Sequence, residues 1–172
     1  MTGLLLVLGG ARSGKSRHAQ ARAEATGLDR LFVATAQAFD DEMRDRIDRH
    51  RQERSESWRT VEAPVDIAAA LDAHAAPDRV ILVDCLTLWT TNLILGDHDV
   101  TRATDALVSA LARAAGPVIL VANEVGLGIV PDNALARRFR DAAGLVNQHV
   151  AAACAEVQFL AAGLPLTLKQ QG

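Results

Sequence analysis

Residues 4–16 read LLLVLGGARSGKS, and this stretch decides the fold. Residues 4–8 form an apolar run without a polar interruption, which is typical of a strand buried inside a parallel sheet. Residues 9–16 follow with the spacing G-x-x-x-x-G-K-S, the pattern of a phosphate-binding P-loop. The alanine- and arginine-rich sequence from Lys15 to about residue 25 predicts a helix. A strand, a glycine-rich loop and a helix in this order favour a nucleoside triphosphate site over a chance match.

The loop residues have separate chemical tasks. Glycines let backbone N–H groups turn inward around phosphate oxygens, and the helix that follows adds the positive end of its dipole. Lys15 is expected to carry its charge to the β- and γ-phosphates, and Ser16 to offer its hydroxyl to Mg²⁺. Lysine is rare in this chain, since Lys169 is its only other lysine.

Outside this stretch, strands and helices are predicted to alternate along the chain. Strands are expected near residues 31–35, 80–83, 117–122, 157–160 and 166–168, with an edge strand or irregular segment at 57–62. Helices are expected near residues 40–54, 66–74, 88–95, 101–114 and 133–154. The alternation predicts one α/β domain spanning residues 1–172, a P-loop NTPase-type, mostly parallel sheet with helices on both faces.

Composition excludes several classes of protein. The net charge of −3 and the isoelectric point near 5.9 argue against a broadly basic nucleic-acid surface. No apolar run approaches the roughly 20 residues that a membrane span needs. Cys85 and Cys154 lie in apolar sequence without metal-ligand spacing, so they are expected to be buried, reduced thiols. Together these features predict a cytoplasmic protein.

Three acidic residues follow predicted strands, where ligands bind in open α/β sheets. Asp84 is favoured as the acid that holds Mg²⁺ beside the P-loop, with a helix N-cap as the alternative. Glu62 either accepts hydrogen bonds from a base or ribose, or is a solvated surface acid. Glu124 either positions substrate or hydrogen-bonds the glycine-rich loop after it.

Two histidines lie where they can approach phosphates. His50 sits in a charged segment with Arg46, Arg49, Arg51 and Arg54, which can bind phosphates and keep an imidazole neutral and nucleophilic. Spacing alone favours a solvated helix face whose arginines pair with the neighbouring acids. His18, one turn into the P-loop helix, is expected to pack or to be solvated rather than to bind phosphate.

The chain also carries longer motifs. These are GGARSGKSR at 9–17, AT at 34–35, DDEM at 40–43 leading through RI at 46–47 to His50, WRT at 58–60, DCLT at 84–87, TN at 91–92, NEVGLGIVP at 123–131, FRD at 139–141 and GLVN at 144–147. The whole pattern resembles the bifunctional adenosylcobinamide kinase / adenosylcobinamide-phosphate guanylyltransferase family of adenosylcobalamin biosynthesis. Very many enzymes share the P-loop, whereas the blocks at 40–50 and 123–131 are far more specific.

The resemblance implies two reactions at a site that uses GTP, ATP and Mg²⁺. A triphosphate phosphorylates the hydroxyl of adenosylcobinamide, and GMP then passes from GTP, through a histidine, to adenosylcobinamide phosphate, giving adenosylcobinamide-GDP and pyrophosphate. His50 matches the family's guanylylated histidine. Lys15 as the second catalytic residue, and Ser16 and Asp84 as the metal site, are predicted from the P-loop pattern and the strand end. The family assembles as a homotrimer.

The resemblance further implies a set of nucleotide contacts. The matching positions are Gly9, Gly10, Ala11, Arg12, Ser13, Gly14, Lys15, Ser16, Ala34, Thr35, Ala36, Arg51, Gln52, Glu53, Arg54, Glu62 and Asp84. Residues 35–38 match the family only approximately, so contacts at Ala36 are expected through the backbone. Residues 51–54 contain no glycine, a departure that bears on the geometry of that loop.

Two other readings of the residues stay open. The first is a P-loop kinase or ATPase that forms no covalent intermediate, and the second is a nucleotide-binding regulatory module. The set Lys15, Ser16 and Asp84 weighs against an inert module, and the His50 segment weighs against a plain kinase. The apolar stretch at 86–95 exceeds what a solvated helix carries, which predicts that part of it is buried between subunits.

Overall fold

Seven strands and five helices make up the part of the chain that the computed structural model describes, residues 3–37 and 57–170. Residues 38–56, which include His50, lie outside it. The strands are β1 (Leu4–Gly9), β2 (Asp29–Ala34), β3 (Trp58–Glu62), β4 (Arg79–Asp84), β5 (Val118–Asn123), β6 (Glu156–Ala161) and β7 (Leu164–Gln170). The helices are α1 (Lys15–Glu24), α2 (Ile67–His74), α3 (Leu86–Leu95), α4 (Val100–Arg113) and α5 (Ala134–Ala153).

The strands form one sheet in the order β3-β2-β4-β5-β1-β6-β7. Every neighbouring pair is parallel except β6 and β7, which form an antiparallel hairpin. Parallel strands need crossover connections, and the five described helices lie in all of them except the connection from β2 to β3, which falls mostly outside the described residues. The predicted mostly parallel α/β sheet is therefore confirmed, and Trp58–Glu62, within the segment predicted at 57–62, forms an edge strand.

Alternation along the strands builds a core on each face of the sheet. In β1, Leu4, Leu6 and Leu8 face a core that includes residues of α2, α3, α4 and α5. Leu5 and Val7 face α1 on the opposite side. Because both faces of β1 are covered, all its residues are buried, which explains the uninterrupted apolar run. Helices on both faces are thus confirmed.

Helix α3 buries most of its apolar residues inside this chain. Leu86, Trp89 and Leu93 are each only 1% exposed, and they belong to the core of this same chain. The Trp89 indole donates a hydrogen bond of 2.6 Å to the carbonyl of Val65, which satisfies its polar atom internally. Most of the apolar excess of residues 86–95 therefore serves intrachain packing, whereas Leu95 is 59% exposed, and a subunit contact at this stretch stays a prediction.

The two cysteines are placed as the sequence predicts. Cys85 and Cys154 are both free and buried, as predicted. Burial is the main cause that raises the pKa of Cys85 to about 11, and it raises the pKa of Cys154 to about 12, so both thiols stay protonated at neutral pH. No helix in residues 3–37 and 57–170 is long and apolar enough to cross a membrane.

Candidate active site

The P-loop connects the carboxyl end of β1 to the first turn of α1. Gly14 caps α1 with a φ of 92°, and Arg12 has a φ of 55°, so the loop makes two left-handed steps within three residues. A Cβ on Gly14 would lie 3.3 Å from the Cα of Gly163 in the β6–β7 turn. The N–H of Gly163 donates to the carbonyl of Ser13 at 2.9 Å, so this turn packs against the loop and holds it in place. Gly14 is required both by its backbone angle and by this close neighbour.

The inner side of the loop is tight and its outer side is open. A Cβ on Gly9 would lie 2.5 Å from the Ser13 hydroxyl and 2.7 Å from the Leu160 carbonyl, whereas a Cβ on Gly10 would meet nothing within 4 Å. The Lys15 ammonium donates to the Gly10 carbonyl at 3.1 Å, so its charge is held over the loop. This shape matches the phosphate cradle predicted for residues 9–16.

Strand register places Glu62, Ala34 and Asp84 in one row at the carboxyl ends of β3, β2 and β4. Ala34 pairs with Glu62 on one side and with Asp84 on the other. Phe32 and Leu82, two residues earlier on their strands, belong to the core on the α1 side. Since side chains alternate with a period of two, Ala34 and Asp84 also lie on the α1 side, at the edge where the P-loop opens.

The structure excludes the helix N-cap alternative for Asp84. The N-cap of α3 is Cys85, whose sulfur accepts a bond from the N–H of Leu88 at 3.5 Å. Asp84 is instead the last residue of β4, so the helix-cap alternative is wrong. The described residues contain no group of three or more His, Cys, Asp or Glu side chains that could hold a metal ion. A metal at this edge would therefore rely on few protein ligands.

Thr35 supports the site through hydrogen bonds within the chain. It is fully buried, and its hydroxyl donates to the Cys85 carbonyl at 2.8 Å and accepts from the Cys85 N–H at 2.7 Å. The Asn92 amide donates to the Thr35 carbonyl at 2.7 Å and to the Pro64 carbonyl at 2.8 Å. The hydroxyl and carbonyl of Thr35 are thus both engaged within the chain, and its predicted nucleotide contact stays a prediction. Its part is to tie the ends of β2 and β4 together, and Ala34 and Ala36 on either side of it are partly accessible.

A chain of polar contacts fastens α1 to β6. The Arg22 guanidinium donates to both carboxylate oxygens of Glu156, at 3.0 and 2.7 Å, and Gln158 donates its amide N–H to the same carboxylate at 2.7 Å. The Gln158 oxygen therefore faces His18, whose Nε2 lies 2.6 Å away and must carry the hydrogen. Hydrogen bonds from Arg22 hold the pKa of Glu156 below its usual range. His18 thus packs against the sheet, as expected.

Glu124 has the second of the two roles considered for it. Its carboxylate accepts a hydrogen bond from the N–H of Gly126, two residues further along the glycine-rich loop. The Arg140 guanidinium donates to the Gly126 carbonyl at 2.9 Å, which fixes the same turn from α5. The loop beyond it is open to solvent, with Leu127 and Ile129 83% and 97% exposed.

A comparison with protein-family models agrees with this geometry. Residues 5–168 match the model described as "Cobinamide kinase / cobinamide phosphate guanyltransferase". The chain belongs to this family. The match includes the P-loop, the Ala34–Asp84 row and the segment that contains His50.

Curated relatives cover the chain almost completely. It is 49% identical over 166 residues to the bifunctional adenosylcobalamin biosynthesis protein CobP of Pseudomonas aeruginosa, covering 95% of this chain and 96% of the relative. It is 43% identical over 181 residues to the protein CobU of Escherichia coli, with coverage of 96% and 99%, respectively. CobU of Salmonella typhimurium is 44% identical over 182 residues with the same coverage.

More distant solved structures share the fold alone. The flagellar accessory protein FlaH from Methanocaldococcus jannaschii aligns with a TM-score of 0.54 at 13% identity, covering 98% of this chain and 79% of that one. A Pyrococcus horikoshii protein titled PH0250 aligns with a TM-score of 0.59 at 7% identity, covering 98% and 86%.

Part of the family's predicted site falls outside the described residues. These positions are His50, Arg46, Arg49, Arg51, Gln52, Glu53 and Arg54. The described part brings the P-loop, Ala34, Glu62 and Asp84 to one edge of the sheet. The contribution of residues 38–56 to the family chemistry therefore stays a prediction from sequence.

Three polar residues at this edge received no role from sequence reasoning, although each lies in a quoted motif; two are buried and the third, at the end of β5, is half-buried. They are Thr87, Asn92 and Asn123. Thr87 accepts a hydrogen bond from the Asn123 N–H at 2.7 Å, which joins the start of α3 to the end of β5. A polar residue that ends an apolar strand was the available signal for Asn123, because such positions line ligand sites in parallel sheets.

Proposed function

We propose that this chain phosphorylates adenosylcobinamide with ATP or GTP and then transfers GMP from GTP to adenosylcobinamide phosphate through a guanylyl-histidine at His50. The products are adenosylcobinamide-GDP and pyrophosphate, in adenosylcobalamin biosynthesis. The observation that carries the proposal is the family match over residues 5–168, combined with a P-loop whose lysine is held over an open phosphate cradle.

In the kinase step the P-loop binds the triphosphate and orients it for attack. The backbone N–H groups of residues 9–16 and the start of α1 favour the phosphate charge, and Lys15 adds a full positive charge. The substrate hydroxyl attacks the γ-phosphorus, and the bond to the leaving nucleoside diphosphate breaks. Phosphoryl transfer needs mainly positioning and charge stabilisation, which these groups supply.

The residues present suit Mg²⁺ better than a metal that requires a full set of protein ligands. Ser16 and Asp84 offer two oxygen ligands, and no larger group of ligating side chains lies in residues 3–37 and 57–170. Mg²⁺ keeps several waters and is usually held by one or two carboxylates together with substrate phosphates. When bound, it neutralises charge on the phosphate chain.

In the guanylyl-transfer step a neutral imidazole of His50 attacks the α-phosphorus of GTP. A nitrogen–phosphorus bond forms, and the bond to pyrophosphate breaks. A phosphate oxygen of adenosylcobinamide phosphate then attacks the same phosphorus, and the protonated imidazole leaves. Arg46, Arg49, Arg51 and Arg54 are proposed to stabilise charge on the transferring group, and Glu62 to accept hydrogen bonds from the base or ribose.

The partners are proposed to be these small-molecule corrinoids, with no nucleic acid, in the cytoplasm and in a homotrimer. The acidic net charge of −3 supports the absence of a nucleic-acid partner. Light scattering at micromolar concentration tests the assembly. A mass three times the chain mass of 18.3 kDa supports the trimer, and a monomer contradicts it.

Product analysis tests the proposed activities. The protein is incubated with adenosylcobinamide, Mg²⁺ and either ATP or GTP, and the corrinoids are identified by mass spectrometry. We expect adenosylcobinamide phosphate with at least one triphosphate, and adenosylcobinamide-GDP once GTP is present. Phosphorylated corrinoid without any GDP product would favour a plain kinase, and no corrinoid product at all would contradict the proposal.

Asp84 allows a focused test of the metal site. We expect Asp84→Asn to lower the rate of the kinase step at least 10-fold and to raise the Mg²⁺ concentration needed for half-maximal rate, because the carboxylate charge is lost while its shape is kept. The rate is measured over a Mg²⁺ titration, with Asp66→Asn, at the exposed cap of α2, as the matched control. An unchanged Mg²⁺ dependence would assign Asp84 a structural role.

A further inference from the structure

Asn123 carries an unexplained feature beside the P-loop. Its side-chain Oδ1 is buried, and it has no hydrogen-bond partner among the described residues. A buried acceptor without a donor destabilises the folded chain. Such an atom in a folded protein calls for an explanation, and a ligand that supplies the missing donor is one.

The backbone of Asn123 is held in place from three sides. Its N–H donates to the Thr87 hydroxyl at 2.7 Å, and its carbonyl accepts from the Asn147 amide at 3.3 Å. The next N–H, of Glu124, donates to the Gly9 carbonyl at 3.1 Å. The unpaired oxygen is therefore not a consequence of a loosely held strand end.

The position of Asn123 puts its side chain in the candidate site. Asn123 pairs with Gly9, the first residue of the P-loop. Val121, two residues before Asn123 on the same strand, pairs with Asp84. Ile119 and Val121 face the α1 side of the sheet, so the alternation sends Asn123 to that side too. Its carboxamide thus lies between the strand that enters the phosphate loop and the strand that ends in Asp84.

The Oδ1 atom of Asn123 requires a ligand that donates a hydrogen bond. An amide oxygen only accepts hydrogen bonds, and ionised phosphate oxygens also only accept, so the two cannot pair. A hydroxyl group can donate, and the kinase reaction brings one to the γ-phosphate. The guanylyl-transfer steps use an imidazole nitrogen and a phosphate oxygen as nucleophiles, and neither donates a hydrogen from its attacking atom.

We propose that the Asn123 carboxamide binds the hydroxyl of the phosphate acceptor and aims its oxygen at the γ-phosphorus. This inference rests on the proposed function, because it assigns a nucleophile-orienting residue to its kinase step. The acceptor oxygen bonds to the γ-phosphorus as the bond to the nucleoside diphosphate breaks, and the electron pair leaves with the diphosphate. Asn123 is too weakly basic to take the hydroxyl proton, which passes to a phosphoryl oxygen of the product and then to water.

The assignment separates the two activities in a single variant. We expect Asn123→Ala to lower kcat of the kinase step about 100-fold, the scale of a lost orientation, with KM for the triphosphate changed less than about 3-fold. The α-phosphate labelling of the protein by GTP should continue at a rate within about 3-fold of wild type. A general loss of structure would depress both activities and the melting temperature together.

Gln148→Ala is the matched control, because it removes an exposed carboxamide of α5 and leaves the contacts of Asn123 in place. It should keep the kinase kcat within about 3-fold. If Asn123→Ala has a lowered melting temperature, Asn123→Ser is used instead, because it keeps a small polar side chain. It should show the same selective loss of kinase kcat, at least 10-fold. A kinase kcat near the wild-type value in a folded Asn123 variant, or an equal loss of both activities, would overturn the assignment.

The same experiment separates this inference from the proposed function. If the wild-type protein makes no adenosylcobinamide phosphate, the proposed function fails. If the wild type makes it and the Asn123 variants make it equally fast, only the role of Asn123 fails.

Discussion

Lys15→Ala is expected to abolish most of both activities, with a loss of about 100- to 1,000-fold in each rate. The reason is that one ammonium group, held 3.1 Å from the Gly10 carbonyl, serves every phosphate chain that the loop binds. Kinase product and protein labelling are measured side by side, with the triphosphate concentration varied. Triphosphate binding should weaken in the same variant.

Lys169→Met provides the matched control, because Lys169 is the other lysine of the chain. Its ammonium donates to the carbonyls of Ala151 and Ala152 at the end of α5, and it pairs in the sheet with Val157 near the start of β6. The start of β6 lies at the amino ends of the parallel strands, whereas the P-loop lies at their carboxyl ends. Near-normal rates in Lys15→Ala would refute the P-loop assignment, whatever the control shows.

His50→Ala is expected to remove covalent labelling by GTP completely while the kinase step survives. The substrate hydroxyl attacks the γ-phosphate directly, so this step needs no covalent histidine, whereas GMP transfer has no acceptor without the imidazole. The label on the protein and the amount of adenosylcobinamide phosphate are measured in the same preparation. A kinase rate reduced by a few-fold is compatible with a segment that also shapes the pocket.

His18→Ala tests whether the right histidine has been named. His18 is nearer to the P-loop in sequence, but its ring is engaged by Gln158 at 2.6 Å on the sheet. The His18→Ala variant should retain the label. His149→Ala, at an exposed position of α5, should retain it as well. Loss of the label in His18→Ala with retention in His50→Ala would transfer the role to His18.

Local sequence patterns predicted the parts of this fold that depend on them. The run at residues 4–8 and the glycine spacing after it determine the strand, loop and helix around Lys15 without help from the rest of the chain. The continuous apolar run at residues 80–83 likewise places Asp84 at the end of a strand. Both features depend on a few neighbouring residues, which is why they could be recognised in advance.

Contacts between distant parts of the chain could not be predicted in this way. Thr35 reads as a polar residue at a strand end, yet its hydroxyl is taken by Cys85, 50 positions later. Most apolar residues of α3 are buried by their own chain, and hydrophobicity alone cannot say which partner covers a helix. The unpaired oxygen of Asn123 is equally invisible in sequence, because a missing partner is a property of the packed site.

The central claim is a covalent guanylyl-histidine on a P-loop enzyme, and GTP labelled on its α-phosphate tests it most directly. The wild-type protein is incubated with α-labelled or γ-labelled GTP and Mg²⁺ and run on a denaturing gel, and the labelled band is then treated with acid or base. We expect a band with the α-label only, stable in mild base and lost in acid, because protonation makes imidazole a good leaving group. No α-labelled band, or one that survives acid and is lost in base, would contradict the account.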